Sequence, residues 1–405
     1  MRLSTLLLLP AALRTAVLAY TPLSNTSLHA LPAPSPADFN IHAGGLLAPI
    51  LVPRVPGTPG SEKVLRHFVN FFSTQLPGWR LEFQNSTSTT PTSHGKEVPF
   101  RNLIATRDPP WLSSDDENGS KGEGGEVGRL ALVAHYDSKL TPHNFIGATD
   151  SAAPCAILLH VARSIDAALT RKWAAMENNG GAIDSLDDDD VNKGIQIILL
   201  DGEEAFDTWT HTDSIYGARS LAAAWESTPH SALSTYKTPL DSIALFVLLD
   251  LLGAAEPRVP SYFKTTHWAY QLLASVETRL RSLADSPLKS NPANPFLPEA
   301  EKDQRGATER WLGGYIEDDH LPFMARGVEI LHLIPSPFPM VWHTMADDGA
   351  HLDGSTVEDW AAVMGVFAAE WMDLEGFIEG EGGAEQVREE GGKGRGRDEL
   401  QLNDT

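Results

Sequence analysis

The chain has 405 residues, 42% of them hydrophobic, so it can bury a sizeable core in one large α/β domain or two smaller ones. Its net charge of -23, from 31 Lys and Arg against 54 Asp and Glu, argues against nucleic acid or anionic lipid as a partner and leaves cationic or neutral ligands. Cys155 is the single cysteine, so no disulfide can form within the chain.

Residues 1–19 have the composition of a signal peptide. Arg2 precedes an apolar stretch of roughly a dozen residues, shorter than the roughly 20 that a membrane-spanning helix needs, and a small-residue cleavage site ends at Ala19. Asn-x-Ser/Thr sequons agree with a secretory route and lie at Asn25, Asn85, Asn118 and Asn403. We therefore expect a secreted glycoprotein without membrane association after cleavage. Retention in the ER, Golgi or vacuole and an uncleaved anchor are the alternatives.

The segment after the signal peptide, residues 20–59, is rich in Pro, Ala and Ser and predicts an extended arm. The catalytic domain is expected over residues 60–375 and begins with a helix over 60–76, with Ser61 as its N-cap. Two strand-like stretches follow, "WRLEFQ" and "FRNLIATR". Residues 376–405 are rich in Gly and Glu and predict a disordered tail.

Strands and helices alternate through the rest of the domain. Predicted strands are "RLALVAHYD", "GIQIILLDGEE", "DSIALFVLLDLLG" and "VEILHLIP". Predicted helices lie near 152–169, 214–226 and 265–284, and a capping box at 355–358 opens a last one, "DWAAVMGVFAAEWMDLEGF". An acidic insert occupies about 176–193. Near-continuous apolar strands between helices predict a single three-layer α/β/α domain around a mixed, mostly parallel sheet.

Polar residues repeatedly follow the apolar strands. They are His135 and Asp137, the run from Asp201 to Glu204, Asp250, and His332. In open α/β sheets the carboxyl edge of the strands is where ligands bind, so four such cases in one chain predict a site there.

Carboxylates and imidazoles without cysteine suit a catalytic zinc site with an open coordination position. Calcium is less compatible with two histidines. The candidate side chains are His135, Asp137, Asp150, Glu203, Glu204, Asp250 and His343. Glu203 and Glu204 are adjacent and project in different directions, so we expect one to bind metal and the other to handle protons. Their spacing does not say which.

Seven collinear motifs resemble the animal-type glutaminyl-peptide cyclotransferases, which share the fold of the M28 zinc aminopeptidases. They are "HYDSK" (135–139), "GATDSAAPC" (147–155), "DGEEAF" (201–206), "DSIYGARSLA" (213–222), "LLDLLGA" (248–254), "EDDHLPF" (317–323) and "HLIPSPFPMVWHTMADD" (332–348). Some members carry a cysteine at the position of Ala134 that pairs with the one at Cys155; here Cys155 is expected to be a buried thiol. The acidic insert suggests a divergent member, and the composition suggests a fungal one.

The resemblance implies cyclisation of an N-terminal glutamine to pyroglutamate with loss of ammonia, glutamate reacting more slowly. It implies one zinc per chain and the following roles; we expect a monomer, although the sequence leaves the oligomeric state open. The zinc ligands are Asp150, Glu204 and His343; Glu203 is the general base and acid; Asp250 and Asp318 bind the reacting group; Trp209, Trp342, His332 and Phe338 line the pocket; His135 and Asp137 support the ligands.

Two alternatives use the same fold. A two-zinc aminopeptidase would bind a second metal through His135 and Asp250, with Asp150 bridging. A peptide-binding protein without catalysis is the second. "HYDSK", "DDHLPF" and Trp342 directly before His343 favour the cyclase.

Overall fold

The computed structural model describes residues 20–112, 124–178, 192–305, 311 and 316–379. The predicted signal peptide, the sequons at Asn118 and Asn403, most of the acidic insert and most of the tail lie outside these residues.

A mixed sheet forms the centre of the domain. Its strands, within the described residues, are β1 (Arg80–Thr89), β2 (Glu97–Arg107), β3 (Gly128–His135), β4 (Lys193–Leu200), β5 (Ile243–Leu249) and β6 (Ile330–Leu333). They lie in the order β1-β2-β4-β3-β5-β6. β1 pairs with β2 and β2 with β4 in antiparallel fashion, whereas β4-β3, β3-β5 and β5-β6 are parallel. The predicted mixed, mostly parallel sheet is confirmed.

Alternate residues of each buried strand pack into different layers. Leu130 and Leu132 belong to the larger core, under α2 (Pro59–Gln75), α3 (Ala153–Asn178), α5 (His267–Ser282) and α7 (Gly354–Trp371). Ala131 and Val133 belong to a second core, under α4 (Tyr216–Glu226) and α6 (Leu321–Met324). This period of two confirms the three-layer α/β/α architecture.

Two predicted helix caps are wrong by a few residues. Thr58, not Ser61, caps α2: its extended backbone stops the helix, and its side chain accepts a bond from the Ser61 amide. Asp353 caps α7 by accepting from the Thr356 amide, while Ser355 already lies inside the helix. An N-cap residue has non-helical backbone angles. These angles depend on the path of the chain into the helix and not on the side chain alone.

The segment predicted as an extended arm contains the short helix α1 (Asn25–Ala30) and packs against the domain. Leu28, Phe39 and Leu47 are buried in the larger core. The Leu23 amide donates to the Glu370 carboxylate at 2.7 Å. The prediction of an extended conformation is therefore wrong for this segment, because its scattered apolar residues find a shared surface that composition does not reveal.

Cys155 lies in the first turn of α3 and is a free, fully buried thiol, as expected. Its Sγ donates to the His135 carbonyl at 3.1 Å, and burial raises the pKa of the thiol to about 12. Among the described residues, the stretch 148–178 is long and apolar enough to cross a membrane, but 83% of its most apolar window is buried in the fold, so it serves as a core helix.

Candidate functional site

The carboxyl ends of the parallel strands bring most of the predicted polar side chains together. β3 ends at His135, with Asp137 just beyond it, and Asp250 directly follows β5. Glu203 follows β4 after a turn at Gly202, whose φ of +79° suits glycine; a Cβ there would lie 2.3 Å from the Phe100 ring. His332 lies inside β6 rather than past its end, which corrects the prediction for that residue.

Asp150, Glu204 and His343 form one cluster whose potential ligand atoms all lie within 4.8 Å of one another, with both carboxylates buried and the imidazole partly exposed. His343 Nε2 is 3.4 Å from Asp150 Oδ2 and 3.6 Å from Glu204 Oε2. Two ligands about 2.1 Å from one ion at tetrahedral angles lie about 3.4 Å apart, so the spacing suits zinc. Glu204 Oε1 is buried without a hydrogen-bond partner among the described residues, which leaves it available to a cation.

The electrostatics of this cluster also suit a cation. Burial and then the neighbouring Asp150 raise the pKa of Glu204 well above its usual value. Burial acts on Asp150 in the same direction, but hydrogen bonds from His135 and His343 hold its pKa low. Lys139 Nζ lies 3.2 Å from Glu204 Oε2 and offsets only part of the negative charge. A divalent ion would relieve the repulsion between the two carboxylates.

Glu203 occupies a different position from its neighbour. The amides of Glu203 and Glu204 donate to the Asp137 carboxylate at 3.0 and 3.2 Å, which fixes the backbone that carries both side chains. Among the described residues, Glu204 belongs to a group able to hold an ion, and Glu203 belongs to none. Burial raises the pKa of Glu203 well above its usual value, with Glu204 adding to the shift and His135 opposing it. A buried carboxyl of raised pKa suits proton transfer.

A second cluster consists of His135, Asp150 and Asp250. His135 Nε2 lies 3.0 Å from Asp150 Oδ1 and 3.4 Å from Asp250 Oδ1, while its Nδ1 faces Asp137 at 3.3 Å. Although burial lowers the pKa of His135, its hydrogen bonds to the three aspartates raise it well above the usual value. Ser151 Oγ donates to Asp250.

Asp318 and His332 form a buried pair, and Asp318 interacts electrostatically with Asp250. His332 Nε2 lies 2.7 Å from Asp318 Oδ2, and burial lowers the pKa of the imidazole to about 4. Burial and the charge on Asp250 raise the pKa of Asp318 well above its usual value. The imidazole and the carboxyl group are therefore held together by a short hydrogen bond in a buried environment.

Aromatic side chains border the cluster. The Trp342 ring stacks on His343 with centroids 4.0 Å apart, and Phe338 meets Trp342 edge-on at 4.8 Å. Trp342 is 39% exposed, so it lies at the mouth of the site. Trp209 Nε1 donates to Glu317 Oε2 at 2.9 Å and lines a cavity of about 410 Å³ whose lining does not include Asp150, Glu204 or His343.

Three contributors were missed at the sequence level. Arg54, from the supposed arm, is fully buried and donates to the carbonyls of Gly147 at 2.9 Å and Asp150 at 3.3 Å. Lys139 and Ser151 lie within the motifs "HYDSK" and "GATDSAAPC", but the motifs alone do not indicate what these two side chains contact. Arg54 had no local signal, because its partners are about 80 to 100 residues away along the chain.

Comparison with known proteins identifies the family of the chain. The Peptidase family M28 pattern matches residues 120–368. A glutaminyl-peptide cyclotransferase of Bos taurus is 36% identical over 338 residues, covering 81% of each chain. A glutaminyl-peptide cyclotransferase-like protein of Bos taurus is 39% identical, covering 81% of this chain and 74% of its own. An uncharacterized protein of Saccharomyces cerevisiae is 35% identical, covering 82% and 85%, and agrees with the fungal suggestion.

Solved structures with a similar fold include a glutaminyl cyclase and a zinc-dependent exopeptidase. The glutaminyl cyclase of Macrostomum lignano has a TM-score of 0.69 and 30% identity, covering 88% of this chain and 96% of its own. A zinc-dependent exopeptidase of Parabacteroides distasonis has a TM-score of 0.52 at 19% identity, covering 84% and 99%. The second likeness shows a shared fold alone.

Proposed function

The chain belongs to the glutaminyl-peptide cyclotransferases of peptidase family M28, and we propose that it converts N-terminal glutamine of peptides and proteins to pyroglutamate with release of ammonia. The observation that carries this function is the cluster of Asp150, Glu204 and His343 with Glu203 directly beside it. The chain is 36% identical to a glutaminyl-peptide cyclotransferase and 39% identical to a glutaminyl-peptide cyclotransferase-like protein. N-terminal glutamate would be the slower substrate.

Asp150, Glu204 and His343 would hold one zinc ion. When bound, zinc supplies Lewis-acid polarisation of the side-chain amide carbonyl of the substrate. Trp342, stacked on the His343 ring, restricts its rotation and so keeps Nε2 directed at the two carboxylates. Asp137 accepts a hydrogen bond from the Glu204 amide and so fixes the backbone that carries the Glu204 side chain.

Glu203 moves the proton. The substrate α-amine is largely protonated near neutral pH and cannot attack in that form. The ammonium form first loses one proton to solvent. The neutral α-nitrogen then bonds to the side-chain amide carbon and gives one of its two remaining protons to Glu203. Glu203 passes that proton to the amide nitrogen as the bond from the carbon to this nitrogen breaks, so that ammonia departs and the ring nitrogen keeps one proton. A carboxylate bound to metal would be a poorer base, which is why the role falls to Glu203 rather than Glu204.

Asp250 and Asp318 would bind the N–H groups of the reacting amine and amide. Ser151 fixes Asp250, and His332 fixes Asp318 at 2.7 Å. Phe338 and Trp342 would cover the folded substrate, and Trp209 would line the pocket. Holding the chain folded back makes the internal amine, rather than water, the nucleophile.

The two-zinc aminopeptidase is the alternative that a specific observation supports, since His135, Asp150 and Asp250 also lie within ligand distance of one another. The sequence relatives favour the cyclase, and the exopeptidase likeness lies below the identity at which more than the fold is shared. Two zincs per chain together with hydrolysis of aminoacyl arylamides would overturn the proposed function.

The direct test is incubation of the purified chain with a peptide that begins with Gln, followed by mass spectrometry. Loss of one ammonia from this peptide, and none from the same peptide beginning with Asn, is the expected result. An unchanged Gln peptide in the presence of bound zinc would support the non-catalytic peptide-binding alternative.

The cellular setting is also part of the proposal. The apolar N-terminus and the sequons at Asn25 and Asn85 support a glycoprotein of the secretory pathway. We propose that it is secreted and is not attached to a membrane once the signal peptide is removed. The enzyme would act as a monomer on peptides that share this route.

A further inference from the structure

An exposed aromatic residue on β1 lies two residues before a sequon. Phe83 is 48% exposed, and Asn85-Ser86-Thr87 forms the acceptor sequence. Side chains two residues apart in a strand project from the same face, so Phe83, Asn85 and Thr87 form one row. In the register with β2 they lie opposite Leu103, Arg101 and Pro99.

This row forms one wall of an open groove of about 1060 Å³. Helix α2 forms the opposite wall through Leu65, Val69 and Ser73. The floor is polar at one end, where Arg101 Nη1 and Glu62 Oε2 are 2.8 Å apart. A surface that combines an exposed ring, aliphatic carbons and charged groups matches a sugar chain, which has C–H faces and hydroxyl rims.

The geometry points to Asn85 as a site of N-linked glycosylation, with the first N-acetylglucosamine packed on Phe83 and the following sugars lying in the groove between β1 and α2. In the transfer, the Asn85 side-chain nitrogen bonds to the anomeric carbon of a lipid-diphosphate-linked oligosaccharide, loses a proton, and the lipid diphosphate departs. This inference rests on the proposed secretory route but not on the proposed reaction.

The groove lies beside the edge strand β1 and does not involve the residues of the proposed reaction. Among the described residues, β1 is the edge strand of the sheet and pairs with β2 alone. A glycan in the groove would cover the exposed Phe83 ring. The residues that line the groove do not include any of the proposed catalytic or metal-binding residues, so the glycan would leave the reaction unaffected.

The sequon at Asn25 provides a matched control. Asn25 opens the short helix α1, and the hydroxyl residue of its sequon, Ser27, is buried. Asn25→Gln should leave the effects at Asn85 unchanged.

The test uses the full chain secreted from a eukaryotic host. Peptide mass spectrometry after glycosidase treatment should find Asn85 converted to Asp, and Asn85→Gln should lack one glycan relative to the wild type. Unmodified Asn85 in the recovered wild-type chain would overturn the assignment. Because this mass measurement is made on the wild-type chain, its outcome does not depend on whether the Asn85→Gln variant folds.

The packing on Phe83 has its own readout. Removing the glycan should lower the melting temperature of the wild type by about 2 °C, and Phe83→Ala should abolish that difference. Leu233→Ala, at a residue that is 95% exposed, should preserve it. If removing the glycan lowers the melting temperature of Phe83→Ala by as much as that of the wild type, the proposed packing of the sugar on Phe83 is wrong. Gln-peptide cyclisation, measured on the same samples, should be equal throughout, so failure here is distinct from failure of the proposed reaction.

Discussion

The adjacent glutamates after β4 offer the sharpest test of the site. Glu203→Gln removes a carboxylate that belongs to no ligand cluster among the described residues, whereas Glu204→Gln removes one of three ligand groups. Both variants keep the size of the side chain, and both keep the amide that donates to Asp137, at 3.0 and 3.2 Å, so the backbone should be unchanged.

Glu203→Gln should lower kcat by about 10²- to 10⁴-fold, the usual contribution of a general base. At about 1.4 kcal/mol for each factor of ten, this raises the barrier by about 3 to 5 kcal/mol. Zinc content should stay at the wild-type value. Glu204→Gln should weaken zinc binding by more than the 10- to 100-fold typical of a partner that only supports a ligand, since it removes the ligand itself.

The assay combines metal analysis after dialysis with initial rates of ammonia release. Added zinc should restore part of the activity of Glu204→Gln and none of that of Glu203→Gln. Equal zinc loss in both variants, or near-normal kcat in Glu203→Gln, would refute the division of roles.

Three further outcomes are expected. Trp342→Ala should raise KM about 2- to 10-fold by removing an aromatic contact, with Trp342→Phe close to wild type in the same rate measurements; an unchanged KM would remove Trp342 from the pocket. Chelation should abolish cyclisation and zinc should restore it, whereas activity that survives with the metal content at zero would exclude a metal-dependent reaction. His160 is buried and its pKa is lowered to about 4. The unfolded chain therefore binds a proton that the native chain does not as pH falls from about 6.5 to about 4, which lowers the free energy of unfolding by up to about 3 kcal/mol. His160→Leu should flatten this dependence in melting curves recorded at several pH values, and an equal slope in both proteins would contradict the assignment.

The sheet and its helices could be predicted because their signals are local. β3, β4 and β5 are near-continuous apolar runs, and such runs fit only strands covered on both faces. The helix caps were harder to predict from the sequence. Thr58 and Ser61 are both good cap residues, and the path of the chain into α2 selects between them.

The sequence by itself determined the family, the reaction and the residue types at the site, because seven motifs in fixed order carry that information and local apolar patterns carry the fold. Only the tertiary structure decided which of these residues meet. It places Glu204 with Asp150 and His343 and leaves Glu203 outside that cluster, it puts His332 inside β6 against Asp318, and it brings Arg54 beneath the Asp150 loop. These contacts join residues far apart in the chain, so their geometry depends on how the strands and loops pack and not on any local pattern.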